Sequence, residues 1–266
     1  MSNVNRAAIV TGSATGIGAA TAKALAARGW HVLVNASKNN RDAETVAQAC
    51  AELAGPFGAK VALCMADVAQ DADCRRMADQ AVKTFGRLDA LVNNAAITKF
   101  VAMPNLDGLT AEDFLHLTHV NVAGTFQMTR ACVPALRASG RGAVVNISSN
   151  AAVTGSGSSI AYAASKGAVN TLTLSLARVL APEVRVNAVL PGFTNTPWHA
   201  KGMQPDRIDS VAEHFRVTAP LRAVTEAEDV ADAVLWFIEG AAKVTGQMVV
   251  VDGGNHLHVN SPPARR

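Results

Sequence analysis

The sequence predicts an α/β fold: a doubly wound, Rossmann-like, mostly parallel sheet of seven strands with helices on both faces. Three observations predict it. Seven short apolar runs alternate with helical stretches between residues 7 and 251. The first run passes through a glycine turn straight into a helix, which is how a parallel strand leaves a sheet for its crossover. Small and polar residues gather where the runs end, at Thr11-Gly12, Asn93-Asn94, Ser148-Ser149 and Pro191-Gly192. In doubly wound sheets those C-terminal tips form the ligand crevice.

Taken in order, Ala7 to Val10 is a strand apolar on both faces, as buried parallel strands are. Gly12, Gly16 and Gly18 follow, and Ala19 to Arg28 is rich in helix formers and stops at Gly29. Trp30 to Val34 is a second strand, and Asp42 to Leu53 a helix ended by Gly55-Pro56. Lys60 to Met65 is a third strand, with Asp67 placed to cap a helix starting near Asp71. Leu88 to Val92 is a fourth strand, and Glu112 to Ala138 a long amphipathic helix that Pro134 is expected to kink. Gly142 to Ser148 is a fifth strand, Ile160 to about Leu180 a helix closed by Pro182, and Val184 to Leu190 a sixth strand. Residues 194–218 read as an irregular lid, Asp229 to Glu239 as the last helix and Gly246 to Val251 as the seventh strand. The tail, 255–266, is expected to be mobile. With no repeat, linker or low-complexity segment, 1–266 reads as a single domain.

Composition narrows the function. Apolar residues make up 49% of the chain, ample for a large core, and the net charge of +3 comes without a Lys/Arg cluster that would suit nucleic acid. No apolar run approaches a membrane span. Cys50, Cys64, Cys74 and Cys132 show neither a Cys-x-x-Cys pair nor zinc spacing, so neither metal nor disulfides are expected and a reducing, cytoplasmic setting is.

The chemistry gathers around Tyr162, the one tyrosine in the chain, with Lys166 four residues on, on one face of a helix. A phenol titrates near 10, and a fixed cation beside it favours the phenolate. Bringing it toward neutrality takes about 3–4 kcal/mol of preferential interaction. Ser149 stands thirteen residues before Tyr162, at the tip of the fifth strand. A Tyr-x-x-x-Lys pair alone more often means a surface tyrosine packed on a lysine stem. Here it keeps company with the Thr11-Gly12-x-x-x-Gly16-Ile17-Gly18 turn, Asn93-Asn94-Ala95-Ala96, Asn121-x-x-Gly124 and Pro191-Gly192.

In that order, over roughly residues 6 to 255, these motifs resemble the short-chain dehydrogenase/reductase family, near its 3-oxoacyl-carrier-protein reductases and glucose-dehydrogenase-like enzymes. The resemblance implies catalytic roles for Asn121, Ser149, Tyr162 and Lys166, with Asn121 distorting its helix to hold a proton-relaying water. It implies cofactor contacts from Gly12, Ser13, Thr15, Gly16, Ile17 and Gly18 in the turn, and from Asp67 and Val68 beside the adenine. Asn94, Ala95 and Ala96 join them, then Tyr162 and Lys166, then Pro191, Gly192, Thr194 and Thr196 on the nicotinamide side. Ala96 stands where the family usually has glycine, and Thr15 where many NADP-preferring members carry a base. A homo-tetramer is implied too.

The end of the second strand bears on the cofactor. An acid there would bind the ribose hydroxyls of NAD, and a cation the 2′-phosphate of NADP. Asn35, Ser37, Lys38 and Arg41 supply no carboxylate and two cations, so NADP(H) is expected over NAD(H). Expected substrates are moderately apolar ketones or secondary alcohols, met by Thr98, Phe100, Asn150, Ala151, Thr154, Phe193 and Trp198. A carrier-protein reductase would need a basic patch at the mouth, for which Arg137 and Arg141 are candidates, though Glu183 counts against it. An NAD-dependent alcohol or sugar dehydrogenase, or a nucleotide-sensing scaffold, are the other readings. The lid histidines read as solvated or capping groups.

Overall fold

The computed structural model describes residues 6–38 and 40–257. β1 (Ala7–Val10) is buried along its whole length. It leads through the glycine turn to α1 (Gly16–Ala26) and to β2 (His31–Ala36), which lies parallel to β1 with Ala7 opposite His31. α2 (Asn40–Ala54), β3 (Val61–Met65), α3 (Asp71–Phe85) and β4 (Ala90–Asn93) complete the first half. β4 returns to the other side of β1, with Ala8 opposite Ala90. The second half adds α4 (Ala111–Thr118), α5 (Gly124–Ala138), β5 (Gly142–Ile147), α6 (Ala151–Thr154), α7 (Ile160–Leu180) and β6 (Val184–Pro191). β7 (Thr194–Asn195), α8 (Pro205–Thr218), β8 (Thr225–Glu226), α9 (Ala227–Leu235) and β9 (Met248–Val251) follow.

The main sheet is parallel throughout, in the order β3-β2-β1-β4-β5-β6-β9. Strand order reverses between β1 and β4, so a crevice opens beyond their C-terminal tips. Successive strand residues face opposite sides, and the core divides accordingly. Val10, Val34, Val92 and Val145 pack under α1, α2 and α9, whereas Ile9, Leu33, Leu91 and Val144 pack under α3, α5 and α7. Alanines let the helices come close: Ala20 of α1 meets Ala227 and Ala231 of α9.

The seven strands fall where the apolar runs predict, with ends shifted by a residue or two. Other expectations change. The segment from Glu112 to Ala138 is not one continuous helix: a π turn, His119–Ala123, interrupts it at Asn121, where the family resemblance implied a distortion, and α5 then runs through Pro134 to Ala138. Asp67 does not cap α3. Gln70 stands at that cap, and Asp67 Oδ1 instead accepts from Ala69 N–H at 3.0 Å. The last helix likewise ends in a π turn, Trp236–Gly240. The lid is more regular than predicted, since α8 fills most of it and β7 pairs with β8. Asn255–Leu257 forms a 3-10 turn, and the remainder of the expected mobile tail lies outside the described residues. Among the described residues, no helix is long and apolar enough to cross a membrane.

Candidate active site

A cleft of about 1560 Å³ runs along the C-terminal tips of the sheet. That is larger than the usual 300–1,000 Å³ of a small-molecule pocket, and suits a dinucleotide with a second molecule beside it. At one end lies the glycine turn. Gly12 and Gly16 have φ of +61° and +55°, backbone that favours glycine. A side chain on Gly18 would place its Cβ 2.5 Å from Asn94 Nδ2 and 2.6 Å from Gly12 O. The turn is pinned from both flanks. Asn94 Nδ2 donates to Thr11 O and Gly12 O at 2.9 Å each, and Thr11 Oγ1 accepts from Asn94 N–H and Ala95 N–H at 3.0 Å. From β2, Asn35 Oδ1 accepts from Gly12 N–H at 3.0 Å while its Nδ2 donates to Cys64 O and Ala66 O.

Asn35 and Ser13 therefore build the turn. Both are buried, and Ser13 Oγ donates to Val10 O and accepts from Asn35 N–H. Gly12, Thr15, Gly16 and Ile17 line the cleft itself, as do Ser37, Lys38, Asn94, Ala95 and Ala96. Ser13 and Gly18 stand behind them. Asp67 and Val68 border a side recess of about 160 Å³ with His116 and Val120. The chain fits a nicotinamide dinucleotide there, because α1 begins at the turn with no side-chain cap and no acid in its first turn. Its leading N–H groups and dipole are left for a pyrophosphate.

Arg41 does not reach the cleft. Lys38 does, and Asp42, from the first turn of α2, borders it too. The expectation of two cations and no carboxylate is corrected on both counts. Asp42 was hidden because helix phase, not proximity in sequence, turns it inward.

Midway along the cleft, β5 ends at Ile147 and Ser149 follows, buried, with Oγ accepting from Ala151 N–H at 3.2 Å. α7 starts opposite. Ser159 caps it by accepting from Tyr162 N–H, which sets Tyr162 in the first turn facing the cleft. Lys166, one turn on, is 3% exposed, and its Nζ donates to Ile147 O at 2.8 Å. The ammonium lies 5.7 Å from the centre of the Tyr162 ring. Ser149, Tyr162 and Lys166 thus come together on one wall.

Their electrostatics differ from the simple expectation. Burial pushes the Tyr162 hydroxyl up to about 12, against a hydrogen bond from Ser149 that pulls it down. Burial brings Lys166 down to about 8. Desolvation penalises both charged forms, and at Tyr162 it outweighs the hydrogen bond from Ser149. At pH 7 the phenol is protonated and poised to donate.

Asn121 sits in the π turn and is buried, off the cleft. Its Nδ2 donates to Ile97 O and to Ser165 Oγ at 3.0 Å each, and its Oδ1 accepts from Ile97 N–H.

Beyond the tyrosine, Pro191, Gly192, Thr194 and Thr196 line the cleft, followed by Phe100, Asn150, Thr154, Phe193 and Trp198. Thr98 and Ala151 do not: Thr98 Oγ1 bonds to Ser158 Oγ, and Ala151 is buried as the first residue of α6. Sequence reasoning missed His199, which is neither solvated nor a cap. It stacks on Phe193 at 4.3 Å, with Nε2 3.1 Å from Thr194 O. His256 also borders the cleft, 2.9 Å from the buried Asp252 carboxylate. Neither carried a spacing signal. Arg137 and Arg141 precede β5, at the end of the sheet away from the cleft, so they form no basic patch at its mouth. Among the described residues, no cluster of His, Cys, Asp or Glu could hold a metal ion, and the four cysteines are free and buried.

Known proteins are similar to this one over nearly the whole chain. The family profile described as Enoyl-(Acyl carrier protein) reductase matches residues 12–256. A granaticin polyketide synthase protein of Streptomyces violaceoruber, its name provisionally that of ketoacyl reductase 2, is 44% identical over 94% of this chain and 96% of its own. A 3alpha-hydroxysteroid dehydrogenase of Mediterraneibacter gnavus is 36% identical over 94% and 96%. Levodione reductase superposes with a TM-score of 0.87 at 29% identity, covering 96% of this chain and 98% of that one. The chain is an oxidoreductase acting on CH–OH or C=O groups, and it belongs to the short-chain dehydrogenase/reductase family.

Proposed function

We propose that the protein is an NADP(H)-dependent carbonyl reductase, working reversibly on secondary alcohols, with Tyr162 as its proton donor and acceptor. The observation that carries this is the convergence of Ser149, Tyr162 and Lys166 on the wall of the cleft whose far end is the glycine turn. The bound nicotinamide supplies the hydride. In the reducing direction Tyr162 Oη gives its proton to the carbonyl oxygen as charge develops there. Ser149 Oγ donates a hydrogen bond to the same oxygen and fixes its position. Lys166 Nζ is tied to Ile147 O by one N–H and has two more for the ribose hydroxyls and the phenol. Asn121 holds the π turn from which a proton relay to Lys166 would start.

Ser37 and Lys38 favour the 2′-phosphate, since Lys38 makes no ion pair among the described residues. Asp42 beside them favours the NAD-dependent alternative. A side-by-side fluorescence titration with NADPH and NADH decides: tighter NADPH supports the proposal, and tighter NADH makes the protein an NAD-dependent alcohol dehydrogenase.

A 3-oxoacyl-carrier-protein reductase is the second reading, favoured by the name of the Streptomyces relative. It loses support because Arg137 and Arg141 lie away from the cleft. We also assign a homo-tetramer, on the exposed Phe126, Leu174 and Val179 of α5 and α7, and the cytoplasm, on the four free thiols.

A further inference from the structure

The two ends of the cleft differ in charge. Asp42 is the one carboxylate among its described lining residues, and it lies at the turn end beside Lys38. The substrate end, beyond Tyr162, has none and carries two cations, Lys201 and Arg207. Both are exposed, and among the described residues neither makes an ion pair. Asp206 and Asp209, on the same helix as Arg207, do not border the cleft. Asp252 is buried behind His256 and satisfied by it.

Lys201 is also held in place. Its Nζ lies 4.8 Å over the Trp198 ring, a cation–π contact that steers a flexible side chain. Trp198 in turn lies 6.2 Å from Tyr162, ring centre to ring centre. The 6.2 Å and 4.8 Å spans laid end to end put the ammonium within about 11 Å of the phenol ring. Trp198 touches both, and the cleft is further lined by Phe100 and the stacked Phe193 and Phe215.

From this layout we infer that the substrate is an anionic ketone or its alcohol, an apolar body bearing a carboxylate or phosphate that Lys201 and Arg207 receive. The inference rests on the oxidoreductase reading above and names the substrate class of that site. The short span favours an anion on the substrate's own body. A phosphate on a long thioester arm offers the same chemistry from farther away.

Three ketones separate the possibilities: 4-oxocyclohexanecarboxylate, its methyl ester, and acetoacetyl-coenzyme A. Each is assayed with the wild-type protein and with Lys201→Glu/Arg207→Glu, the cofactor saturating. The expected result is a wild-type kcat/KM for the keto acid at least fivefold above the ester, a ratio that falls tenfold or more in the variant and narrows with added salt. A loss confined to the thioester would keep the anion site and assign it to a phosphate arm. An acid-to-ester ratio and a thioester rate both unmoved by the variant, with turnover intact, would overturn the inference and leave the oxidoreductase reading standing. Turnover of none of the three by the wild type with cofactor bound would overturn the inference and count against the carbonyl-reductase proposal with it. Lys201→Gln/Arg207→Gln, which removes charge without reversing it, repeats the comparison if the reversed variant is unstable.

Discussion

Asn121 Nδ2 donates to Ser165 Oγ at 3.0 Å, and Ser165 Oγ donates to Tyr162 O at 2.8 Å. A π turn in one helix is thereby tied to the first turn of the helix that aims the tyrosine. Short π segments put an extra residue into a helix and often mark functional sites. This one is held open because the Asn121 side chain, caught between Ile97 and Ser165, satisfies three polar partners away from its own helix.

Replacing Asn121 by Leu leaves the half-buried Ile97 N–H and O without their partner. We expect a stability loss of about 1–3 kcal/mol. Because the phenol is repositioned, we expect a fall in kcat of about tenfold to a hundredfold. Urea unfolding and steady-state kinetics check both. A kcat unchanged at full cofactor saturation would show that Asn121 matters for stability alone.

Gly18→Ala tests the turn. The new Cβ must displace Asn94 Nδ2 or the Gly12 carbonyl, so the turn opens and Asn94 loses its bonds to Thr11 and Gly12. Weakening of NADPH by about tenfold or more is expected, equivalent to about 1.4 kcal/mol, with the sheet intact by circular dichroism. Undiminished affinity would mean that the turn does not receive the cofactor.

Lys166 gives a pH signature. Its folded-state value is lowered from an ordinary 10.5 to about 8, so between those values the unfolded chain binds more protons. Stability therefore rises with pH across that window, by about 3 kcal/mol in all. Tyr162, raised from 10 to about 12, acts oppositely, and stability falls between pH 10 and 12. Against Lys166→Met, wild type should gain about 2 kcal/mol between pH 7.5 and 9.5. A constant difference at the two pH values would contradict the buried ammonium. In the reducing direction, activity should decline above about pH 8 as that charge is lost.

The cofactor specificity has its own test. Ser37→Asp/Lys38→Glu should weaken NADPH by at least tenfold and NADH little, because only NADPH presents a phosphate to the lost cation. Equal effects would show that the phosphate is not read there.

The sequence made the strands legible because each is a short apolar run ending in turn residues, as Ala7 to Val10 does before Thr11-Gly12. Ser149, Tyr162 and Lys166 were legible because their spacing fits one strand tip and one helix turn. The π turn at Asn121 was legible through the Asn121-x-x-Gly124 motif and its family resemblance, and not through the apolar periodicity of residues 112–138. Asn35 looked like a ligand contact, but its side chain is enclosed by three backbone partners, which only the fold could show. His199 and His256 reach the cleft through loop geometry that follows no period. Desolvation at Tyr162 depends on the whole surrounding wall, so a lysine four residues away gave the sign of one effect and not the balance.

The most direct test of the proposed chemistry is a single-turnover measurement on Tyr162→Phe, with NADPH bound and a ketone that the wild type reduces. The phenylalanine keeps the ring and removes the proton. Cofactor binding within threefold of wild type and a hydride-transfer rate reduced by at least about a hundredfold is the predicted result. Hydride transfer at the wild-type rate with cofactor bound would show that the proton comes from elsewhere, and would remove Tyr162 from the centre of the mechanism.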